Sequence, residues 1–285
     1  AETGGTVGLG AIGITGALDL DAAIGSGATA GADALTVSTT SNIGADITTT
    51  NNQTYTGAVT MSGGNRILRS NSGTINNQST IAGGSANLTI TGNLNSDGAI
   101  SSTAVFSVSG TSDLGANVTT TDTQTYTGAV TISANVTITT SGDTVTFSDT
   151  IDGGYALTVD TDGTDDASAL ATVQFAGVVG GSTPLTAIIV TGNLDLDADI
   201  IQSDNTAGAS SLEVAGTSNL GASVTTNGSQ TYTGAVTLSA DITLDANDTS
   251  GTTTTYSTAT TTNVTIASNE TVTQIALIGA GGGKG

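Results

Sequence analysis

The chain has 285 residues and a formal net charge of −21, with 24 acidic residues against Arg66, Arg69 and Lys284. That sign excludes a nucleic-acid-binding surface, which needs clustered cations facing phosphate. His and Cys are both absent, which removes Ser-His-Asp and Cys-His catalysis, zinc sites and disulfide staples and reads as a protein that is not an enzyme.

In chain order, the first informative stretch is GLGAIGITGALDLDAAI from Gly8 to Ile24, small and apolar. Ile43-Gly44-Ala45 follows, and after it comes Tyr55 in QTYTGAV, from Gln53 to Val59. GGNRILRSNSG (Gly63 to Gly73) then carries two of the three cations, Arg66 and Arg69. The opening phrase returns as ITGNLNSDGAI from Ile90. Leu114-Gly115-Ala116 and QTYTGAV from Gln124 repeat the second pair, with Leu114 as far from Tyr126 as Ile43 is from Tyr55. A loop of acidic and Gly residues, Asp160-Thr161-Asp162-Gly163-Thr164-Asp165-Asp166, precedes VTGNLDLDADI from Val190. Leu220-Gly221-Ala222 and QTYTGAV from Gln230 close the pattern. The end is apolar and then Gly-rich: VTQIALIGA from Val272, running into GGGKG.

Within these repeats the apolar residues alternate. Tyr126, Val130, Ile132, Val136 and Ile138 fall on one parity, and Thr125, Thr127, Thr131, Ser133 and Thr137 on the other. Period-2 alternation predicts strands with one face buried, and the Thr, Val and Ile content agrees. No segment shows a helical stripe. Tyr55, Tyr126, Tyr232, Val59, Val130 and Val236 are the expected core of the repeat.

Short strands punctuated by Gly, Asn and Asp fit either tandem β-sandwich domains or a parallel β-helix. The repeat intervals are unequal: Tyr126 to Tyr232 is much longer than Tyr55 to Tyr126, and Gly92 to Gly192 is longer than Gly16 to Gly92. A sandwich needs a fixed strand count, whereas a solenoid gains or loses a whole coil, and the difference between the Gly intervals is about one coil of the usual length, roughly 20–29 residues. The expected fold is therefore all-β, a parallel β-helix in three imperfect repeats (14–89, 90–189 and 190–270), with 271–285 as an apolar strand plus Gly-rich tail. With coils of about 22 residues spaced about 4.8 Å, the chain makes roughly 13 coils and a rod of roughly 60 Å.

SNLGASVTTNGSQTYTGAVTLSADITL (Ser218 to Leu244), FSDTIDGGYALTVDTDG (Phe147 to Gly163) and FAGVVGGSTPLTAIIVTGNLDLD (Phe175 to Asp197) resemble repeats of large bacterial surface proteins of the filamentous-haemagglutinin and repetitive-adhesin kind. The resemblance implies export, a β-helical rod, a role in adhesion, matrix or an appendage, and no active site.

Several clusters have two readings. Asp160, Asp162, Asp165 and Asp166 surround one Gly turn, which is either an ordinary Asx/Gly turn or an oxygen cage for calcium, the one cofactor the sequence suggests. Asp195, Asp197 and Asp199 share a parity and invite a cation or a basic partner. Arg66 and Arg69 either pair with Asp on a neighbouring coil or reach an acidic partner surface. The terminal GAGGGKG fails as a phosphate loop, since the spacing before Lys284 is wrong and no Ser or Thr follows.

No run approaches the ~18 apolar residues that a span requires, so no membrane span is expected. Both ends read as uncapped solenoid ends whose backbone groups seek partners. The expected function is a structural subunit of an extracellular, cell-surface filament joined head to tail to copies of itself, with Val272, Ile275, Leu277 and Ile278 as the intersubunit strand. A glycan or a neighbouring cell surface is a further candidate partner. The alternatives are a segment of a giant single-chain secreted adhesin, in which peptide continuity explains the ends, and an acidic surface-layer protein assembled by calcium.

Overall fold

The computed structural model describes residues 8–162, 170–204, 206–246, 259–260 and 264–266. Every regular element among them is a β-strand, and the strands stack in parallel into a β-solenoid of about 11 turns. The larger turn number expected from the sequence counted the whole chain. The chain forms two compact units, 1–131 and 132–285.

The elementary unit is a six-residue side. In the first unit, strands Ser41–Ile43, Ile47–Thr49, Gln53–Tyr55 and Val59–Met61 begin six residues apart. The first and third residues of each strand point inward and are buried, and the corner residues between strands are mostly exposed or half-buried. Three sides close one turn, so Ser41 stacks on Val59. The strands are short because a Gly, Asn, Asp or Ser falls in almost every corner, where the chain must turn.

Three stacks of parallel strands result. In the first unit one runs Ile12, Leu35, Gln53, Ile75, Leu94 and Ser112. A second runs Leu18, Ser41, Val59, Ile81, Ile100 and Val118. The third runs Ile24, Ile47, Leu68, Ile90, Val108 and Tyr126. The second unit repeats the plan: Val136, Leu157, Ile188, Leu212 and Gln230 form one stack, and Val145, Val173, Leu194, Ser218, Val236 and Ala259 another. Ile151, Val179, Ile200, Val224 and Leu244 form its third. The step between register partners is not constant. Leu35 to Gln53 is a bare three-sided turn, Ile12 to Leu35 carries a longer corner, and Leu157 to Ile188 a longer one still.

This geometry corrects the whole-coil reading of the repeat intervals. Tyr55 stacks on Val37 and Asn77, in the first stack, whereas Tyr126 stacks on Val108, in the third. The glycines move likewise: Gly16 lies between the first and second stacks and Gly92 between the third and first. The recurring phrases therefore mark sides rather than coils. Every corner poses the same steric problem, so the same phrase serves at any of the three.

The core is narrow and aliphatic, with aromatic rings placed where coils stack. Phe106 meets Tyr126 edge to face at 5.9 Å, and Phe147 stacks on its register partner Phe175 at 5.5 Å. Tyr55, Tyr126, Tyr232, Val59, Val130 and Val236 are all buried. Among the apolar rows sit three equivalent serines, Ser41, Ser112 and Ser218, whose buried hydroxyls have no hydrogen-bond partner. Ser218 lies between Leu194 and Val236 in its stack. An unpaired buried hydroxyl costs about 1–3 kcal/mol. Ser218→Ala is expected to stabilise the protein by about 1 kcal/mol in denaturant melts; a loss of stability would show that the hydroxyl is satisfied.

Candidate functional site

Two equivalent shallow grooves mark the most distinctive surface. One, of about 400 Å³, lies on the second unit and is lined by Thr172, Asn193, Asp195, Thr217, Asn219 and Thr237. The other, of about 340 Å³, lies on the first unit, lined by Thr74, Asn76, Asn93, Asn95, Thr111 and Asp113. Both form where a TGNL phrase stacks beneath a TS(N/D)LGA phrase, with outward positions carrying amides, hydroxyls and one carboxylate. The amides of Asn76, Asn93, Asn193 and Asn219 are already engaged. Asn93 Oδ1 accepts from the Thr111 N–H at 3.0 Å. Asn193 Oδ1 accepts from the Thr217 N–H at 2.9 Å and hydroxyl at 2.8 Å, and its Nδ2 donates to the Leu170 carbonyl at 2.5 Å. These side chains chiefly tie each corner to the next coil.

The same ladder logic accounts for the acidic residues. Asp195 accepts from Asn219 Nδ2 at 2.8 Å, Asp197 from Gln174 Nε2 at 2.8 Å, and Asp199 from the Ser223 N–H at 2.7 Å. The strand ends at Leu196, so the three carboxylates are divided between a side and a corner, bonding to coils above and below. Asp160 Oδ1 accepts from the Thr191 hydroxyl at 2.6 Å and the Asp162 N–H at 3.2 Å. Asp165 and Asp166 lie outside the described residues. Among the described residues no three His, Cys, Asp or Glu side chains are grouped to hold a metal ion. Asp204, fully exposed, has its carboxyl held below the usual range by hydrogen bonds from the Thr206 hydroxyl and N–H.

Arg66 is buried, and each nitrogen of its guanidinium donates to a backbone carbonyl: Nε to Ile43 O at 3.1 Å, Nη1 to Asn65 O at 2.6 Å, and Nη2 to Ser62 O. It fastens the Gly63-Gly64 turn to the coil below. Arg69 is in register with Thr48 and Thr91, and its carbonyl accepts from Gln53 Nε2 at 2.7 Å. Val272, Ile275, Leu277 and Ile278 lie outside the described residues.

The residues the sequence reading missed are the glutamines of QTY. Gln53, Gln124 and Gln230 are fully buried. Gln53 Oε1 accepts from the Tyr55 hydroxyl at 2.8 Å, while Nε2 reaches Arg69 O in the next coil. Gln230 does the same with Tyr232 at 3.2 Å and with Asp245 O at 2.9 Å. Its Nε2 also donates to the Thr226 hydroxyl at 3.2 Å, as Gln124 Nε2 does to Thr120 at 3.1 Å. The signal was available: Thr, Gln and Tyr recur on one parity as T-x-x-x-Q-x-Y.

No helix among the described residues is long and apolar enough to cross a membrane. Compared with protein-family models, curated proteins and solved structures, the chain matches none.

Burial pushes the Tyr55 and Tyr126 phenols far above their ordinary value. In the unfolded chain these groups ionise near pH 10. Above that pH the unfolded state holds fewer protons than the folded one, so stability is intact below pH 10 and falls as pH rises. Tyrosinate absorbance from Tyr55 and Tyr126 is expected only together with unfolding. Tyr55→Phe leaves the buried Gln53 carbonyl unpaired and is expected to cost about 1–3 kcal/mol in denaturant melts, whereas Tyr155→Phe, at an exposed position, is expected to cost nothing measurable.

Proposed function

We propose that this chain is a non-catalytic structural subunit of an extracellular filament, joined head to tail, with a role in adhesion or matrix. The observation that supports the reading is the state of the first described coil. Its inward residues Ile12, Ile14, Leu18, Leu20 and Ile24 remain half-exposed, while their partners one coil on, Leu35, Val37, Ile43 and Ile47, are completely buried. Among the described residues its strands pair on one side only, and a solenoid coil with an open apolar row is a surface that seeks a partner. A head-to-tail contact does not close on itself and so generates a fibre. The resemblance to repeats of large bacterial surface proteins favours an exported setting, and the acidic coat keeps such fibres from sticking side to side.

Continuation of the same coil into further sequence of a giant single-chain adhesin accounts for the same open row. A calcium-assembled surface layer has less in its favour, since Asp160 and Asp195 each already engage one carboxylate oxygen with a neighbouring coil. Negative-stain electron microscopy of the purified 285-residue chain, with and without a chelator, separates the three. Long uniform fibres that survive chelation are expected. Isolated particles at every concentration would overturn the filament reading, and fibres dispersed by chelator would favour the calcium layer.

A further inference from the structure

The two grooves differ in one pair of outward residues, and the chain holds a third copy of that pair for comparison. Where the phrases stack, Asp19 pairs in register with Asn42, Asn95 with Asp113, and Asp195 with Asn219. In the first and third copies the acid comes from the earlier coil and the amide from the later one. The amide then closes the pair: Asn42 Nδ2 donates to Asp19 Oδ1 at 2.8 Å, and Asn219 Nδ2 to Asp195 Oδ1 at 2.8 Å. In the second copy the order is inverted, with Asn95 on the earlier coil and Asp113 on the later.

The inverted pair is open. Among the described residues the side chains of Asn95 and Asp113 make no hydrogen bond, to each other or to any other group, and Oδ1 of Asp113 is buried without a partner. A buried carboxylate oxygen that lacks a donor costs free energy that a ligand can recover. Both residues line the first-unit groove of about 340 Å³, beside Thr74, Thr111 and Thr131. In the second-unit groove the corresponding carboxylate and amide are bonded to each other.

We propose that the first-unit groove binds a neutral saccharide at Asn95 and Asp113. The open pair selects the ligand chemistry. An ionised Asp113 only accepts hydrogen bonds, whereas the Asn95 amide offers donors and an acceptor together. A hydroxyl does both, so one ring hydroxyl donates to the Asp113 carboxylate while accepting from Asn95 Nδ2, and a neighbouring hydroxyl donates to Asn95 Oδ1. The threonine hydroxyls of the groove add contacts of the same kind. Its volume falls in the range of small-molecule sites, roughly 300–1,000 Å³. The net charge of −21 repels acidic and sulfated sugars, which favours a neutral one. A calcium ion needs six to eight oxygens, and the groove brings it a single carboxylate, no three acidic side chains being grouped among the described residues. The site needs only one copy of the chain, so it stands apart from the head-to-tail assembly while giving the adhesive role a defined surface.

Saturation-transfer NMR on the full chain tests this, since it reads weak ligands whether or not the protein polymerises. The probes are the methyl glycosides of mannose, galactose and glucose, with N-acetylarginine amide as a basic competitor class and calcium chloride as the metal. The wild-type chain is expected to transfer saturation to at least one glycoside, undiminished by calcium chloride. Asn95→Asp/Asp113→Asn restores the order of the two closed pairs; it is expected to keep the wild-type melting temperature or raise it and to weaken glycoside binding at least tenfold. Asp113→Asn alone is expected to weaken it likewise, which keeps the test intact if the double variant does not fold. No transfer from the wild-type chain to any glycoside, or undiminished transfer from both variants, would overturn the proposal. Transfer to N-acetylarginine amide alone would assign the groove to a basic partner and overturn it too, as would binding of calcium alone, read as a shift of the Asn95 side-chain amide signal. A chain that passes these tests yet never forms fibres keeps the site and loses the filament reading, and the converse result reverses that outcome.

Discussion

Everything in this molecule depends on one constraint: each inward side chain sits directly on its counterpart one coil away, about 4.8 Å along the stack. Parallel pairing sets that spacing, and aliphatic residues filling it row upon row make the core. Fully burying each Val, Leu or Ile contributes about 1.5–3 kcal/mol. Rows such as Ile24, Ile47, Leu68, Ile90 and Val108 therefore accumulate stability without any thick central core. The chain needs few aromatic residues because no position is far from a corner.

The polar residues inside the core follow from the same spacing. A corner brings backbone carbonyls close to the interior, and they need donors. Gln53 and Gln230 supply them, bridging a corner to the next coil while Tyr55 and Tyr232 satisfy the remaining amide oxygen. Arg66 does the equivalent work around the Gly63-Gly64 turn with three carbonyls. The outward Asn and Asp residues do the converse from the solvent side, accepting from backbone N–H groups of the next coil, as Asn93 does from Thr111 and Asp199 from Ser223. A composition that looks like an acidic binding surface is in large part the fastening of one coil to the next.

The parallel β-helix was legible in the alternation of residues such as Tyr126, Val130, Ile132 and Val136, and the reason is arithmetical. A side of six residues is even, so the inward parity survives the corners between such sides, as from Ser41 to Met61, and reads there as one long strand pattern. The size of the repeating unit was not legible, because one side, two sides and a full turn all preserve that parity, and only the stacking of Tyr55 on Val37 and of Tyr126 on Val108 separates them. The glutamines were passed over because a polar side chain next to Thr reads as solvent-facing unless its parity is compared with that of Tyr. For the grooves, the phrases TGNL and TS(N/D)LGA were visible. Their meeting across a corner depends on coil length, which varies along the chain: the coil from Leu194 to Ser218 is longer than that from Leu94 to Ser112.

The six-residue side also governs how such a chain changes length. Adding or removing one side keeps every downstream residue on its proper face, yet carries each outer ladder a third of a turn around the solenoid. Only a change of three sides returns the ladders to where they were. A row of Asn and Thr facing one direction is thereby converted into a row facing another by a six-residue insertion that leaves the core packing rule untouched, so the orientation of a surface is set by counting sides rather than by redesigning residues.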